Sequence, residues 1–357
     1  MINITDYELL DIDKIKIITT PTTMYDIKIE DDKTFFISKN KKDNILVHNC
    51  DGSHIAGLIL NLFENYWPEL LEADFLYQFV TPILKVSKKS NVSYFYDLKE
   101  YNRWKNKNSN YSEYNIKWLK GLGSLEPHEM KLFFKNLNKH LIKFETENIS
   151  SDRNLIDLAF NKKRAEDRKN WMLEYNPNPN FDKFKIKQTY ESFFNNEFIE
   201  FSIDNNIRSI PSMLDGLKPS QRKILYTLFK KNFKNEVKVS QLSGDIISAA
   251  SYHHGNVSIE QTIISMSQNF VGSNNLNFLD PVGQFGSRLK GGKDASAPRY
   301  IFTKLNSLTR YIFKDEDDEI LEYLIDDGYQ IEPRFYVPIA PVILLNGTEG
   351  IGTGWST

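Results

Sequence analysis

Near residue 50 the hydrophobic period of the chain changes, and one packed layer cannot accommodate both halves of that change. Before it, KIKIITT, MYDIKIE, KTFFISK and NILVHN alternate or run as short β-segments, punctuated by Pro21, Asp31-Asp32 and Lys41 to Asn44. After it, HIAGLILNLFENYWPELL carries apolar residues at helical spacing, and FLYQFVTPILKVS follows as a buried strand interrupted by Pro82. KWLKGLGS reads as a strand ending in a glycine turn, and Glu129 to Phe144 as another helix. A chain of 357 residues is long enough for two or three domains, each with its own core. The expected class is multidomain α/β, headed by a small all-β segment.

Composition narrows the function classes. With 40% hydrophobic and 26% charged residues and no run of about eighteen apolar residues, a bilayer span is not expected. The start, MINITDYELLDIDKIKI, lacks a cationic segment followed by an apolar core, which predicts an intracellular protein. Cys50, the single cysteine, excludes internal disulfides and multi-thiolate metal sites. A net charge of -2 gives no global attraction to nucleic acid, so binding would need local clusters. Cations do concentrate in NKKRAEDRKNW, LKPSQRK and LFKKNFKNEVKVS, and anions in KDEDDEILEYLIDDG, although each alone describes a solvated helix face.

Residues 146–200 are polar and rich in Asn, Lys and Asp, with NPNPN as their clearest breaker, and are expected to be a partly helical connector. Beyond them DGLKPSQRKILYTLFKKN starts a helix with Pro219 in its first turn. Ile224, Leu225, Leu228 and Phe229 form its apolar face, with Arg222, Lys223, Lys230 and Lys231 largely off it. A second helix, Ser258 to Phe270, follows the loop SYHHGN, a pattern compatible with a helix-turn-helix core. No internal repeat is present.

The junction ILVHNC joins three residue types suited to one reaction. An Asn side-chain amide can close on its own carbonyl and break the next peptide bond, a neighbouring His can move the proton, and a following thiolate can accept an acyl group first. The tripeptide alone equally describes a chance sequence with a buried thiol. In context, MYDIKIEDDKTFFISKNKKDNILVHNC resembles the C-terminal end of an intein. The resemblance implies that Asn49 cyclises with help from His48, that Cys50 is the first extein residue, and that Asp26 fills the usual acidic position. Lys33 stands where such inteins commonly have His. Residues 1–49 would then be half of a split intein, removed as Cys50 is joined to an upstream fragment carrying the N-terminal intein half.

A second resemblance covers nearly everything after Cys50. DGSHIAGLILNLFENYWPELL with FLYQFVTPILKVSK, KWLKGLGS, DNNIRSIPSMLDGLKPSQRK, AASYHHG, QNFVGSNNLNFLDPVGQFGSRLKGGKDASAPRYIFTKL and EPRFYVPIAPVILLNGTEGIGTGWS occur in the order of eukaryotic-type type IIA DNA topoisomerases. It implies a partial TOPRIM α/β domain at 50–145 and a winged-helix α+β DNA-cleavage domain at 201–345. Residues 346–357 would begin a tower domain. Asp51 matches only the end of the family's Asp-x-Asp-x-Asp-Gly metal motif, so a magnesium site would need carboxylates from a partner fragment.

One tyrosine among 18 is far more often a packing residue than a nucleophile. GGKDASAPRY nevertheless places Tyr300 after a glycine-containing loop and beside Arg299. In the family this tyrosine attacks a DNA phosphodiester, and a guanidinium next to it favours phenolate and offsets charge in the transition state, the role expected of Arg299. Adjacent histidines are usually a loop coincidence, and the lack of other thiols argues against zinc at His253 and His254. The resemblance puts them beside the scissile phosphate, His253 making the contact. It gives Arg208, Lys218 and Arg222 to positions that hold the DNA backbone or assist cleavage, with Lys293 adding to that surface. Ile351, by default a buried aliphatic between glycines, matches the family's wedge between base pairs.

The implied activity is ATP-dependent, magnesium-dependent passage of one duplex through another by a homodimer acting on double-stranded DNA in the nucleus, a nucleoid or a viral factory. The ATP-binding domain and exit gate are expected outside this chain. The competing expectation is a non-catalytic DNA-binding remnant. A gyrase-like division between subunits is disfavoured because DGSHI and PRY share one chain.

Overall fold

The computed structural model describes residues 52–357 apart from 90, 97, 109, 120–124, 179–180, 182–186, 234, 253 and 327–328. Of the first 51 residues it describes only the backbone of an antiparallel hairpin, β1 (Asp26–Ile29) and β2 (Asp32–Phe35), in which Asp26 pairs with Phe35. His48, Asn49, Cys50, Asp51 and the side chains of Asp26 and Lys33 lie outside the described residues. The chain divides into two compact units, residues 1–164 with 175–199, and residues 165–174 with 200–357. Among the described residues no helix is long and apolar enough to cross a membrane.

In the first unit α1 (Gly52–Tyr66) buries Gly57, Leu60 and Phe63. Any side chain at Gly57 would stand 2.4 Å from the Phe198 ring, so the glycine sets how closely this helix packs. Next come α2 (Pro68–Glu72), β3 (Tyr77–Phe79), β4 (Leu84–Lys88), β5 (Asn91–Phe95), α3 (Leu98–Lys107), β6 (Asn115–Trp118), α4 (Pro127–Lys135), β7 (Leu141–Glu145) and α5 (Ile149–Phe160). The apolar run around Pro82 is therefore two strands in two different sheets. Pro82, which has no N–H to give a ladder, marks the break between them. β4 forms the centre of an antiparallel sheet with β5 and β6 and buries Leu84 and Val86 against Phe95 and Tyr101.

Glu129 to Phe144 is likewise not one helix. α4 ends at Lys135, and Leu141 to Glu145 is strand, with Ile142 and Phe144 buried and their neighbours half-exposed. That period-2 burial was hidden within a stretch whose apolar residues also fit a helix. Residues 146–200, expected to be a partly helical connector, carry several helices and a strand and divide between the two units. Asn148 caps α5 by accepting from the Ser150 and Ser151 N–H groups. α6 (Ala165–Leu173) belongs to the second unit, and β8 (Lys187–Thr189) adds a parallel strand to β7. α7 (Tyr190–Ser192) leads through a π-helical turn into α8 (Ile199–Ser209), burying Tyr190, Phe193, Phe194 and Phe198.

Glu129 ties α4 to the first sheet. Its carboxylate is 1% exposed and accepts from Tyr94 Oη at 2.6 Å, Lys85 Nζ at 2.6 Å and the Glu126 N–H at 2.9 Å. Burial pushes this carboxyl up, but those hydrogen bonds outweigh it and hold the group at about 2, below its ordinary 4.5. A depressed folded value means that its contribution is complete above pH 4.5 and is lost as pH falls toward 2. This loss should amount to roughly 2–3 kcal/mol. Unfolding curves between pH 5 and pH 2 should be steeper for the wild type than for Glu129→Gln, and equal slopes would refute the assignment.

The second unit continues with α9 (Pro219–Lys231), β9 (Val237–Lys238), α10 (Val239–Ala249), α11 (Asn256–Ser267), β10 (Leu279–Val282), β11 (Phe302–Leu305), α12 (Thr309–Ile312), β12 (Tyr323–Asp326), β13 (Tyr329–Pro333) and α13 (Val342–Asn346). Helices α9, α10 and α11 share one core, in which Ile224, Leu225, Leu242, Ile246, Ile259 and Ile263 are fully buried. β11 sits between β10 and β9 in a small antiparallel sheet.

Candidate DNA-cleavage site

The backbone around Tyr300 is held by the start of a helix. The first N–H groups of a helix have no partner within it. In α10 two of them point out of the helix: Val239 N–H donates to the Ile301 carbonyl at 3.0 Å and Ser240 N–H to the Pro298 carbonyl at 3.3 Å. Tyr300 N–H closes the intervening turn onto the Ala297 carbonyl at 2.9 Å. Ile301 is buried beneath, whereas Tyr300 is 66% exposed. The Arg299 guanidinium carbon lies 4.8 Å from the centre of the Tyr300 ring. The cation therefore rests on the phenol's face while its N–H groups remain available for an anion.

The loop leading to this turn exposes Arg288, Lys290 and Lys293, three cations within about twelve residues of the phenol. Arg208 lies in the last turn of α8 and stacks over Phe201 at 5.3 Å. The same end of α8 carries the segment of Ile351: Asn206 donates to the Thr353 carbonyl at 3.0 Å, and a side chain at Gly350 would stand 2.5 Å from the Ser209 carbonyl oxygen. A bridge between Ile351 and Ser356 closes that segment and leaves Ile351 82% exposed. Ile351 is thus not the buried aliphatic that its type would suggest. The start of the expected tower region packs on α8 within the second unit.

Lys218 precedes α9, half-exposed, with its N–H donating to Gln221 at 2.8 Å. From the same helix Lys223 donates to the Ala250 carbonyl at 2.6 Å and to the buried Glu332 carboxylate at 2.8 Å. This fixes the root of the loop in which Ser251 has a left-handed φ of 47° and His254 meets the Tyr252 ring edge-on at 5.4 Å. His253 lies outside the described residues, as do residues 120–124 of the KGLGS motif.

Arg222, expected to hold the DNA backbone or assist cleavage, is buried in the second unit. Its guanidinium is buried and grips Asp215 through Nε at 2.7 Å and a terminal nitrogen at 3.0 Å, with a further bond to the Leu217 carbonyl at 3.2 Å. Asp215, fully buried, also accepts from the Leu217 and Tyr336 N–H groups, both at 3.0 Å. These contacts make Arg222 an organiser of the turn before α9. Asp215 goes unnoticed in the sequence because Asp-Gly reads as an ordinary turn. The signal available was an arginine seven positions later, on the buried side of the helix.

Most of the chain is similar to known proteins. Residues 208–357 match the family model for the A subunit of DNA gyrase/topoisomerase IV, and residues 79–206 match the C-terminal associated domain of TOPRIM. The chain carries a type II topoisomerase central segment. It is 48% identical over 318 residues to DNA topoisomerase 2-alpha of Rattus norvegicus, covering 86% of this chain and 21% of that protein. Against DNA topoisomerase 2 of Drosophila melanogaster it is 47% identical over 324 residues, 86% of this chain and 22% of the relative. The crystal structure of the Plasmodium falciparum topoisomerase II DNA-binding, cleavage and re-ligation domain superposes with a TM-score of 0.74 at 49% identity, covering 88% of this chain and 43% of that one. The chain thus spans about a fifth of the length of these curated relatives.

Among the described residues no three His, Cys, Asp or Glu side chains come together as a metal-ligand set. The described residues place the Tyr300 phenol beside the Arg299 guanidinium, with exposed cations in the loop before them.

Proposed function

We propose that the chain is the cleavage and religation part of a type II DNA topoisomerase, with Tyr300 as nucleophile. The observation that carries this reading is the Tyr300 turn, whose backbone is held by the start of α10 while the phenol faces solvent under Arg299. The phenol oxygen bonds to a phosphorus of the DNA backbone and the P–O bond to the 3′ oxygen breaks. A proton leaves the phenol, a proton is delivered to the 3′ oxygen, and the strand ends as a 5′-phosphotyrosyl ester and a free 3′-hydroxyl. One phosphate ester is exchanged for another, so religation is the same step reversed. Arg299 offsets the charge on the transferring phosphate.

In this reading α9, α10, α11 and the β9–β11 sheet are a winged helix. His253 and His254 face the scissile phosphate, and Arg208, Lys218 and Lys293 hold the backbone without reading sequence. Ile351 wedges between base pairs, for which its exposure on a closed turn is suited. Arg222 acts at one remove, through Asp215. Asp51 contributes to a magnesium site completed by a partner fragment, and ATP is bound by a domain outside this chain. The assembled enzyme is a homodimer that passes one duplex through another inside the cell. Residues 1–49 are the C-terminal half of a split intein, in which Asn49 cyclises with help from His48, and Cys50 becomes the first residue of the spliced product. Mixing the chain with its upstream fragment should give a ligated band on a denaturing gel. No such band with a competent partner would remove the splicing proposal and leave the Tyr300 proposal standing.

Strand polarity tests the chemistry. When the assembled protein is denatured on a duplex during cleavage, a label at the 3′ end of the cut strand should migrate with the protein. A label at the 5′ end should migrate as free DNA. The opposite pattern would place the ester on the wrong oxygen for this reading.

A further inference from the structure

The loop between β10 and Tyr300 looks too glycine-rich to hold a shape. Gly283, Gly286, Gly291 and Gly292 all have positive φ, conformations that other residues adopt only with strain and that leave an unfolded chain with much freedom to lose. The loop is nevertheless closed on itself. Ser287 donates through both its N–H and its hydroxyl to Asp294, each at 2.8 Å. Gly292 N–H reaches the Ser287 carbonyl at 3.0 Å and Ser296 N–H the Gln284 carbonyl at 2.9 Å. At the crossing a side chain on Gly286 would stand 2.6 Å from the Gly292 backbone, so two stretches of main chain touch there.

A side-chain amide from outside the loop reaches into this crossing. Gln268, the residue closing the end of α11, is buried, and its amide nitrogen donates to the Phe285 carbonyl at 2.8 Å and the Gly292 carbonyl at 3.3 Å. Those carbonyls flank the crossing. A side chain at Gly292 would lie 2.3 Å from that amide nitrogen, so the glycine leaves the space that the amide fills. Gln268 is itself fixed, since its N–H donates to Ile264 at 3.1 Å and its carbonyl accepts from the Asn274 amide at 2.9 Å. A rigid helix end thereby reaches through one amide into the loop that presents Arg288, Lys290 and Lys293 and runs into Arg299 and Tyr300.

We infer that Gln268 is a positioning residue for DNA cleavage, holding the 284–297 loop in the one arrangement that brings its cations and the Tyr300 turn to the same phosphate. The inference rests on the Tyr300 reading above. A buried amide suits the task because it donates two hydrogen bonds from one atom to two carbonyls, which neither a carboxylate nor a thioether can do. Removing it leaves both carbonyls buried without that donor while α11 and the shared core keep their packing.

The test uses Gln268→Glu, which keeps the shape and removes the donor. Gln268→Met, of similar length and apolar, serves if the carboxylate prevents folding. In the full chain, trypsin should cut after Arg288, Lys290 or Lys293 about tenfold faster in the variant than in the wild type, because these side chains are exposed but the backbone beside them can extend into a protease only when the loop opens. In the assembled protein, covalent adduct formation at saturating DNA should fall about tenfold with DNA affinity nearly unchanged, since misplacement of a reacting group costs rate rather than binding. Unchanged trypsin cutting overturns the clamp. Faster cutting with undiminished adduct formation overturns its role in positioning, as does an equal loss of affinity and rate. A wild-type protein that forms no adduct overturns the Tyr300 reading, and the role given to Gln268 falls with it, a result distinct from any difference between variant and wild type.

Discussion

Tyr300→Phe should abolish covalent attachment of the assembled protein to DNA while leaving its affinity for a duplex nearly unchanged. The substitution removes one oxygen, and that oxygen is the atom proposed to bond to phosphorus. The loss of adduct should be at least about a thousandfold, because the adduct is the ester of that oxygen. Folding should not suffer. The side chain is largely exposed, and the turn is held by main-chain bonds from Val239, Ser240 and Tyr300 itself, none of which uses the phenol oxygen. The Arg299 guanidinium keeps its aromatic platform. The measurement is protein-linked DNA on a denaturing gel beside a binding titration. Equal adduct from wild type and variant would show that Tyr300 is not the nucleophile. Binding without any adduct from the wild type would support the non-catalytic DNA-binding remnant.

Arg222→Ala should have the largest effect on folding, destabilising the second unit by about 3–5 kcal/mol. The pair it breaks is almost wholly out of water, with side-chain exposures of 7% for Arg222 and 0% for Asp215. The variant leaves a buried carboxylate without its counter-charge. Replacing both partners by apolar residues should not recover the loss, because Asp215 also receives the Leu217 and Tyr336 N–H groups, which would lose their acceptor. A loss of this size is comparable with much of the stability of an ordinary domain. Denaturant unfolding of the chain measures it. A change below about 1 kcal/mol would mean that the pair behaves like an exposed one and that Arg222 is free to serve DNA after all.

The local arrangement of the candidate site was legible because it depends on residues close together in the chain. Pro219 at the start of α9, the apolar set Ile224, Leu225 and Leu228, and the Arg299-Tyr300 pair could be read without knowing what lies opposite them. Residues 141–145 and 187–189 were not legible as strands. β7 is held by partners far away in sequence, and its Leu-Ile-Lys-Phe-Glu pattern continues the apolar spacing of the helix before it. Arg222 shows the same limit at the level of one side chain. A cation beside a helix start reads as a phosphate ligand until Asp215 and the Tyr336 N–H are found folded against it.

By itself, then, the sequence determined the order of the motifs, the neighbour relation of guanidinium and phenol, and the helices whose apolar faces repeat at short range. Only the tertiary structure decided which cations remain at the surface and which are consumed in the core, and that Tyr300 and Ile351 stand exposed while Arg222 does not. The reason is that burial and charge pairing are set by groups from distant parts of the chain, and a sequence read locally contains those groups without their distances.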